Sequence, residues 1–247
     1  MSFRVVFIHG FLESPSMWDG VISELALSQG EYQCVYLPGH GEKPMFPNDI
    51  SIQGYASFLL DQITFEPGCG IALVGHSMGG YIAAALAPLI GDALQEICFF
   101  QSKAGSDSPE KKMERQRAIE VAAENRELYI RTMLRSIFHP DTLHLFESEC
   151  EDLVSKALFL PTETISKSQQ VMMTRPDSTH QLSHRNFRVS YFLGRFDRSI
   201  PLSSALDEAQ TLGADHITVC DAGHVGHIEK KQEAVRFLSE FISRLRD

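Results

Sequence analysis

A serine set between glycines marks the segment of the chain with the clearest chemical potential. The run GHSMGG occupies residues 75–80, directly after an apolar stretch typical of a strand and directly before an alanine-rich stretch typical of a helix. A G-x-S-x-G pattern in this context predicts a sharp turn that lifts the hydroxyl of Ser77 out of the sheet edge. Glycine is needed at Gly75 and Gly79 because a Cβ there would collide with the tightly folded chain. Ser77 is therefore the candidate nucleophile.

Backbone N–H groups near Ser77 could stabilise negative charge on a former carbonyl oxygen. Acyl transfer develops such a charge, and two aimed N–H groups are the usual means of stabilising it. One donor is expected from Met78, the residue after the nucleophile. The other is expected from the turn after the first strand, where Gly10 permits an unusual backbone angle and lets the N–H of Phe11 point inward.

A serine hydroxyl needs an adjacent base, and ten histidines compete for that role. The base is expected after the last strand, because turns of this type occur with the chain order nucleophile, acid, histidine. The run DAGHVGHIE at residues 221–229 contains two candidates. His224 is favoured over His227 because it lies closer to the strand end and follows a glycine. The alternative for either histidine is a solvated loop residue.

An acid is needed to orient the histidine, and Asp197 has the expected place in the chain. It follows a predicted strand at residues 187–193, within the run GRFDRSIP at residues 194–201. Sites of open α/β sheets are built at the carboxyl ends of strands. A buried aspartate there can hold the imidazole tautomer and stabilise the imidazolium. Two alternatives remain open: Asp197 caps the helix that follows, or Asp107, after the preceding strand, supplies the acid.

Short apolar runs alternate with helical patterns and predict the elements that position these residues. Near-continuous apolar strands are typical of a sheet covered on both faces, and strand–helix alternation predicts right-handed βαβ units and a parallel sheet. The predicted strands cover residues 3–8, 32–37, 70–74, 97–100, 187–193 and 216–220. The predicted helices include residues 16–28, 51–63 and 229–245. The fold class is therefore α/β, with a mostly parallel sheet and helices on both faces.

The alternation breaks between residues 103 and 184, where a charge-rich helical pattern replaces it. Ser108 and Pro109 are expected to cap and begin its first helix. We expect residues 1–102 and 185–247 to form the core and residues 103–184 to form a helical cap. Most apolar side chains of the cap are expected to pack onto the core, and a few to line a pocket over the nucleophile. The candidate substrate-binding residues are Phe11, His76, Tyr129, Met133 and Phe138.

Composition argues against several other classes of function. The 247-residue chain carries a net charge of −10 at pH 7, so neither nucleic acid nor an anionic membrane surface is an expected partner. The longest nearly apolar stretch, residues 81–90, is far short of a membrane span. Five cysteines without a CxxC pair favour a reducing compartment over a disulfide framework or a zinc site. The expected location is the cytoplasm.

Together these residues resemble the α/β-hydrolase superfamily, specifically its small, capped esterase- and lipase-like members. The matching pieces occur in order: HGF at 9–11, PGHG at 38–41, GHSMGG at 75–80, Gly194 to Pro201 around Asp197, and Gly223-His224 before Glu229. The resemblance implies a six-strand core made of the fold's later strands, without its first two antiparallel ones, and a lid in the insertion. It supports Asp197 and His224 as partners of the serine, and Phe11 and Met78 as oxyanion donors.

The sequence departs from common patterns of the superfamily at two positions. Leu37 stands before the PGHG turn, where an aspartate is common in the family, and a small effect is expected because that turn is structural. The nucleophile is serine, which argues against the dehalogenase and epoxide-hydrolase branches that attack with a carboxylate.

The chemistry expected is a two-step acyl transfer on an ester or thioester. Ser77 attacks the carbonyl while His224 takes its proton, His224 then protonates the leaving group, and water hydrolyses the acyl-enzyme. No metal or organic cofactor is required, and a monomer or homodimer acting on a small to medium, largely apolar ester is expected. The alternatives are a C–C bond hydrolase, lyase or perhydrolase using the same triad, and a non-catalytic ligand-binding module on this fold.

Overall fold

Six parallel strands form one sheet in the computed structural model, which describes residues 2–41 and 45–246. The strands are β1 (Phe3–Ile8), β2 (Tyr32–Val35), β3 (Gly70–His76), β4 (Leu94–Phe100), β5 (Arg188–Gly194) and β6 (His216–Cys220). Their order across the sheet is β2-β1-β3-β4-β5-β6. The predicted six-stranded α/β architecture is confirmed, and each predicted strand overlaps an observed one.

Helices connect the strands and cover the sheet. They are α1 (Asp19–Ile22), α2 (Ile52–Leu60), α3 (Met78–Ile90), α4 (Pro109–Glu124), α5 (Arg126–Ser136), α6 (Glu147–Ala157), α7 (Thr162–Thr174), α8 (Thr179–Ser183), α9 (Leu202–Thr211), α10 (Gly226–Glu229) and α11 (Lys231–Arg246). Short 3-10 helices occupy Pro15–Trp18, Gly91–Ala93 and Leu143–Leu145.

Both faces of the sheet are buried, which explains why its strands are almost continuously apolar. On β1, Val6 and Ile8 belong to the apolar cluster that also contains α2 and α3. Val5 and Phe7 belong to the opposite cluster, which contains Trp18 and the buried face of α11. Every residue of β1 is buried. Parallel strands also bring their carboxyl ends to one edge of the sheet, and the site lies along that edge.

The helix predicted for residues 16–28 is wrong in extent. The structure has a single 3-10 turn at Pro15–Trp18 followed by the four residues of α1, and the helix ends at Ile22. Glycine and β-branched residues at positions 20–22 have low helix propensity. Trp18 and Val21 are already buried against the sheet at this length, so packing does not require a longer helix.

Five helices, α4 to α8, lie between β4 and β5. Residues 103–184 are all described, and no strand occurs among them. Ser108 caps α4 as expected, with its hydroxyl oxygen accepting the N–H of Lys111 at 3.2 Å, and Pro109 is the first helical residue. Helix α4 packs against α5 and α7. The division into a core and a cap stays a prediction.

Among the described residues, no helix combines the length and the apolar composition that crossing a membrane would require.

Candidate active site

Ser77 stands on the turn between β3 and α3 in a backbone conformation that L-residues rarely adopt. Its φ is 50° and its ψ is −117°. A Cβ added at Gly75 would lie 2.5 Å from the backbone nitrogen of Gly80, and one added at Gly79 would lie 2.5 Å from the carbonyl oxygen of Ile8. Such strain persists only where the surrounding structure enforces it. The crowding at both glycines explains the G-x-S-x-G pattern.

A hydrogen-bonded series joins Ser77, His224 and Asp197, which are far apart in the sequence. The hydroxyl oxygen of Ser77 lies 2.8 Å from Nε2 of His224, and Nδ1 of His224 lies 2.6 Å from Oδ2 of Asp197. A carboxylate can only accept, so the proton of the imidazole sits on Nδ1 and Nε2 is left to accept from the hydroxyl. This arrangement prepares the serine for deprotonation.

The other oxygen of Asp197 is also fixed. Its Oδ1 accepts the backbone N–H groups of Ser199 at 2.8 Å and Ile200 at 2.9 Å. Asp197 does not cap α9, whose first residue is Leu202 and whose preceding residue makes no side-chain cap.

The two reserve candidates lie elsewhere. Asp107 is paired with Arg115 and with Arg175, the latter at 2.9 Å. His227 is buried, and its ring nitrogens have no hydrogen-bond partner among the described residues. Burial lowers the pKa of His227 to about 3, so the ring is neutral at pH 7. The structure therefore brings His224 and Asp197, rather than His227 and Asp107, to the serine.

The expected oxyanion donors flank the nucleophile. Phe11 lines the same cavity as Ser77. Met78 is the first residue of α3, where N–H groups have no partner within the helix. In the part of the chain that the structure describes, neither N–H takes part in a hydrogen bond, so both are available to a ligand oxygen.

Two buried histidines hold the loop after β1 that carries Phe11. Nε2 of His40 accepts the N–H of Leu12 at 3.2 Å, and Nε2 of His9 accepts the N–H of Leu37 at 3.1 Å. Each Nδ1 faces a backbone carbonyl and donates to it. Burial lowers the pKa of His9 to about 3 and that of His40 to about 4. Both rings must stay neutral, because a proton on Nε2 would oppose an N–H donor.

Two polar residues that sequence analysis did not single out for a role hold the loop after β6. Oε1 of Gln101 accepts the N–H of Gly226 at 2.6 Å, and its amide nitrogen donates to the carbonyl of Gly223. Oε2 of Glu229 accepts the N–H of Gly223 at 2.7 Å. Gln101 follows directly after β4, at the carboxyl edge of the sheet. Its position there was the one available signal, because its partners lie over a hundred residues away.

A cavity of about 530 Å³ opens over Ser77. It is lined mainly by apolar side chains from α3, α4, α5 and α7. Ser77 and His224 lie in its wall. Of the candidate substrate-binding residues, four line it: Phe11, His76, Tyr129 and Met133.

Phe138 does not line this cavity, which corrects the expectation for that residue. Helix α5 ends at Ser136, and the chain then turns toward the loop after β6. Phe138 is buried beside Phe146, with ring centroids 6.4 Å apart, and its backbone abuts Gly223. Its aromatic ring therefore supports the wall from behind.

One part of the cavity wall is charged. Lys111, Glu114 and Arg115 of α4 contribute to it. Arg115 is 9% exposed and pairs with Asp107, which also pairs with Arg175. Two guanidinium groups thus share one carboxylate, and Arg115 brings a charged group to the cavity wall that the apolar pattern of the sequence did not indicate.

Three buried side chains are close enough together to bind a metal ion. Ligand atoms of Glu13, His76 and His227 lie within 4.8 Å of one another, although sequence analysis expected no metal site. Glu13 and His76 are already in direct contact, with 2.7 Å between Oε2 and Nδ1.

Comparison with known proteins gives a family match over nearly the whole chain. The model of the family described as "Alpha/beta hydrolase family" matches residues 5–237. The 2-succinyl-6-hydroxy-2,4-cyclohexadiene-1-carboxylate synthase of Shigella sonnei is 25% identical over 248 residues, covering 96% of this chain and 93% of that protein.

Solved structures share the fold over the same extent. A thermophilic esterase from Thermogutta terrifontis, solved with malate bound, is 25% identical, with a TM-score of 0.84 and coverage of 100% of this chain and 92% of that chain. The enol-lactonase from Burkholderia xenovorans is 18% identical, with a TM-score of 0.85 and coverage of 98% and 92%. The latter likeness concerns the fold alone.

Proposed function

The chain belongs to the alpha/beta hydrolase family, and from that premise we propose that it is a serine hydrolase. Its substrate is a carboxylic ester or thioester with a small to medium, largely apolar acyl group. The observation that carries this proposal is the series Ser77–His224–Asp197, with contacts of 2.8 Å and 2.6 Å, at the wall of the cavity.

The reaction proceeds in two steps. Nε2 of His224 takes the hydroxyl proton as Ser77 attacks the carbonyl carbon, and Asp197 stabilises the imidazolium that forms. The N–H groups of Phe11 and Met78 donate to the oxyanion. His224 returns the proton to the leaving group, and a water molecule activated by the same imidazole releases the acid.

The test is a series of p-nitrophenyl esters of increasing acyl length, assayed with the wild type and with Ser77→Ala. We expect the variant to lose at least about 10³-fold in kcat, since the nucleophile is gone. Ser203→Ala, an exposed serine on α9, is the matched control and should keep wild-type rates. Equal activity in wild type and Ser77→Ala would remove Ser77 as the nucleophile.

A second candidate is a lyase-type reaction on a carboxylate-bearing substrate, in which the Ser77–His224 pair moves a proton without forming an acyl-enzyme. The observation that favours it is the guanidinium of Arg115 in the cavity wall, where it and Arg175 share the single carboxylate of Asp107. The Shigella relative is named as a synthase of a carboxylate, 2-succinyl-6-hydroxy-2,4-cyclohexadiene-1-carboxylate.

Two measurements separate the candidates. Rapid quenching followed by intact-protein mass spectrometry detects an acyl adduct if the hydrolase proposal is right. Comparing an ester whose acyl chain ends in a carboxylate with its methyl-capped counterpart tests the role of Arg115. Absence of an adduct together with absence of turnover of both esters would favour the lyase-type candidate.

A further inference from the structure

We propose that Glu13 and His76 form a buried carboxylate–imidazolium pair, which positions the loop after β1 against the loop that carries His224. Glu13 is 5% exposed and His76 is 1% exposed. The charge state of the pair stands independently of the reaction, whereas its kinetic effect rests on the proposed function.

The pair is one series of hydrogen bonds between two loops. Oε2 of Glu13 accepts the backbone N–H of Gly10 at 2.8 Å and lies 2.7 Å from Nδ1 of His76. Nε2 of His76 lies 2.9 Å from the carbonyl oxygen of His224. Gly10 precedes the expected oxyanion donor Phe11, and His224 is the base. The series therefore spans the two groups that must face the same carbonyl.

Counting protons identifies the ring as an imidazolium. A neutral imidazole carries one N–H, whereas the two nitrogens of His76 face a carbonyl oxygen and an oxygen of Glu13, which only accepts when the carboxyl is ionised. With Glu13 ionised, both hydrogen bonds form together only when the ring carries two protons. Burial by itself would lower the pKa of His76, but the charge of Glu13, its hydrogen bond and the carbonyl of His224 raise the pKa above its ordinary value.

Glu13 is held in its ionised form beside the imidazolium. Burial alone would raise the pKa of Glu13, but the charge of His76 and its hydrogen bond lower the pKa to about 2. The other titratable groups around the pair are His9, His40, His224, His227 and Asp197. Of the carboxylates, Glu13 is the one in direct contact with His76.

A proton fits between Glu13 and His76 better than a metal ion does. Two ligand atoms on one tetrahedral zinc, with bonds of about 2.0–2.1 Å, are separated by about 3.3 Å. The observed 2.7 Å is the length of a direct charge-assisted hydrogen bond.

Nuclear magnetic resonance of the wild-type protein tests the charge state directly. In uniformly labelled protein, we expect both ring nitrogens of His76 to carry protons at pH 7.5, where an ordinary histidine with a pKa of about 6.5 is mostly neutral. A singly protonated His76 ring at that pH, or one zinc ion per chain in the purified protein, would overturn the proposal.

The kinetic arm uses Glu13→Gln, which keeps the shape and removes the charge. With a neutral His76, the introduced amide can either accept from Gly10 and Nδ1 or donate to Nδ1, so one of the three hydrogen bonds of the series is lost in either case. We expect kcat to fall about 10- to 100-fold, with KM changed less than about threefold and His76 singly protonated. The matched control is Glu66→Gln, a surface glutamate paired with Arg4, which should leave both constants unchanged.

The outcomes distinguish the charge state of the Glu13–His76 pair from its effect on kcat and from the proposed function. If Glu13→Gln neutralises His76 and kcat stays within twofold of wild type, the pair has no positioning role. If the wild type hydrolyses no ester, the proposed function fails while the resonance measurement still decides the charge state. If Glu13→Gln does not fold, the wild-type spectrum alone decides it.

Discussion

The carboxyl edge of the sheet and the five-helix segment α4 to α8 meet at the same cavity, but different forces hold them. At the sheet edge, buried polar bonds fix each loop, as Gln101 and Glu229 do for the loop after β6. In the helical segment, apolar side chains such as Ile130 and Leu134 pack inward. Apart from the buried pairs of Asp107 with Arg115 and Arg175, its ion pairs, such as Arg135–Glu147, are exposed and contribute little.

This difference separates chemistry from substrate choice. A buried hydrogen bond has a narrow geometry and is costly to leave unmade, so the edge tolerates little change. Apolar packing tolerates changes of shape at a modest cost, so the helical wall can vary without moving the reacting groups. Substitutions at the edge should therefore act on rate and folding, and substitutions in the helical wall on selectivity.

The largest effect should come from Asp197→Asn at the edge. The amide keeps the shape but favours the wrong tautomer of His224, and the same change in other triads lowers kcat by about 10⁴-fold. We expect a loss of 10³- to 10⁴-fold here, measured as kcat on the preferred ester. Asp221→Asn, which alters an exposed aspartate paired with Arg195, should stay within twofold of wild type. A mild effect at Asp197 would remove the orienting role assigned to it.

Acid should destabilise the edge steeply. His9, His40 and His227 have pKa values lowered to about 3, 4 and 3 by burial. Below pH 6.5 the unfolded chain binds protons that the folded chain excludes, so the free energy of unfolding falls as pH falls from about 6.5 to about 4. Three such groups give at most about 4 kcal/mol per pH unit. Urea titrations at half-unit pH steps measure this slope.

His76 contributes to the pH dependence with the opposite sign, and one variant isolates the contribution of His40. The pKa of His76 is raised, so its contribution is fully present below pH 6.5 and is lost only as pH rises through its folded value. His40→Asn should flatten the acid slope by about one proton, whereas His184→Gln, at an exposed position beside α8, should not. An unchanged slope in His40→Asn would show that this ring is not held neutral.

Gly79→Ala tests the crowding at the nucleophile turn. The added Cβ would lie 2.5 Å and 2.7 Å from the carbonyl oxygens of Ile8 and His9, and neither backbone atom can move freely. We expect a loss of about 1–3 kcal/mol in the free energy of unfolding, with reduced kcat in the protein that folds. In Gly20→Ala the added Cβ meets no atom closer than 3.7 Å, so the free energy of unfolding should stay unchanged. Thermal melts of both variants measure the difference. Equal melting of the two variants would contradict the crowding argument.

The smallest effect should come from the helical wall. Met133 is half-buried in the cavity wall, and Met133→Ala enlarges the cavity there. The preferred acyl chain should therefore lengthen. A change of about 1 kcal/mol, or about fivefold in relative kcat/KM between chain lengths, is expected, with little change in the best rate. Met113→Ala, an exposed methionine on α4 outside the cavity, is the control. A large loss of kcat in Met133→Ala would contradict the expectation that substitutions in the helical wall change selectivity rather than rate.

Local features of the chain were predictable because each rests on neighbouring residues. The strands follow from short apolar runs, and the turn at Ser77 follows from glycines two positions away on either side. The cap at Ser108 likewise needs only the three residues after it. Where local signals were weak, as in residues 16–28, the prediction overran the observed helix.

Features of the site that depend on contacts between distant residues could not be predicted from the sequence. Gln101 contacts Gly223 and Gly226 across more than 120 positions of the chain, and no spacing rule connects them. Phe138 fits an apolar pattern, but its distance from the cavity depends on where α5 ends. The charged wall at Arg115 depends on how α4 is turned toward α7.

The sequence by itself determined the order of strands and helices along the chain and the turn that carries Ser77, because backbone geometry and apolar periodicity act over a few residues. It narrowed the base and the acid to two candidates each. Only the tertiary structure decided that His224 and Asp197 meet Ser77, that Glu13 meets His76, and which side chains face the cavity. Those contacts depend on how parallel strands bring distant loops to one edge, and hydrogen bonds between such loops form within a few tenths of an ångström or not at all.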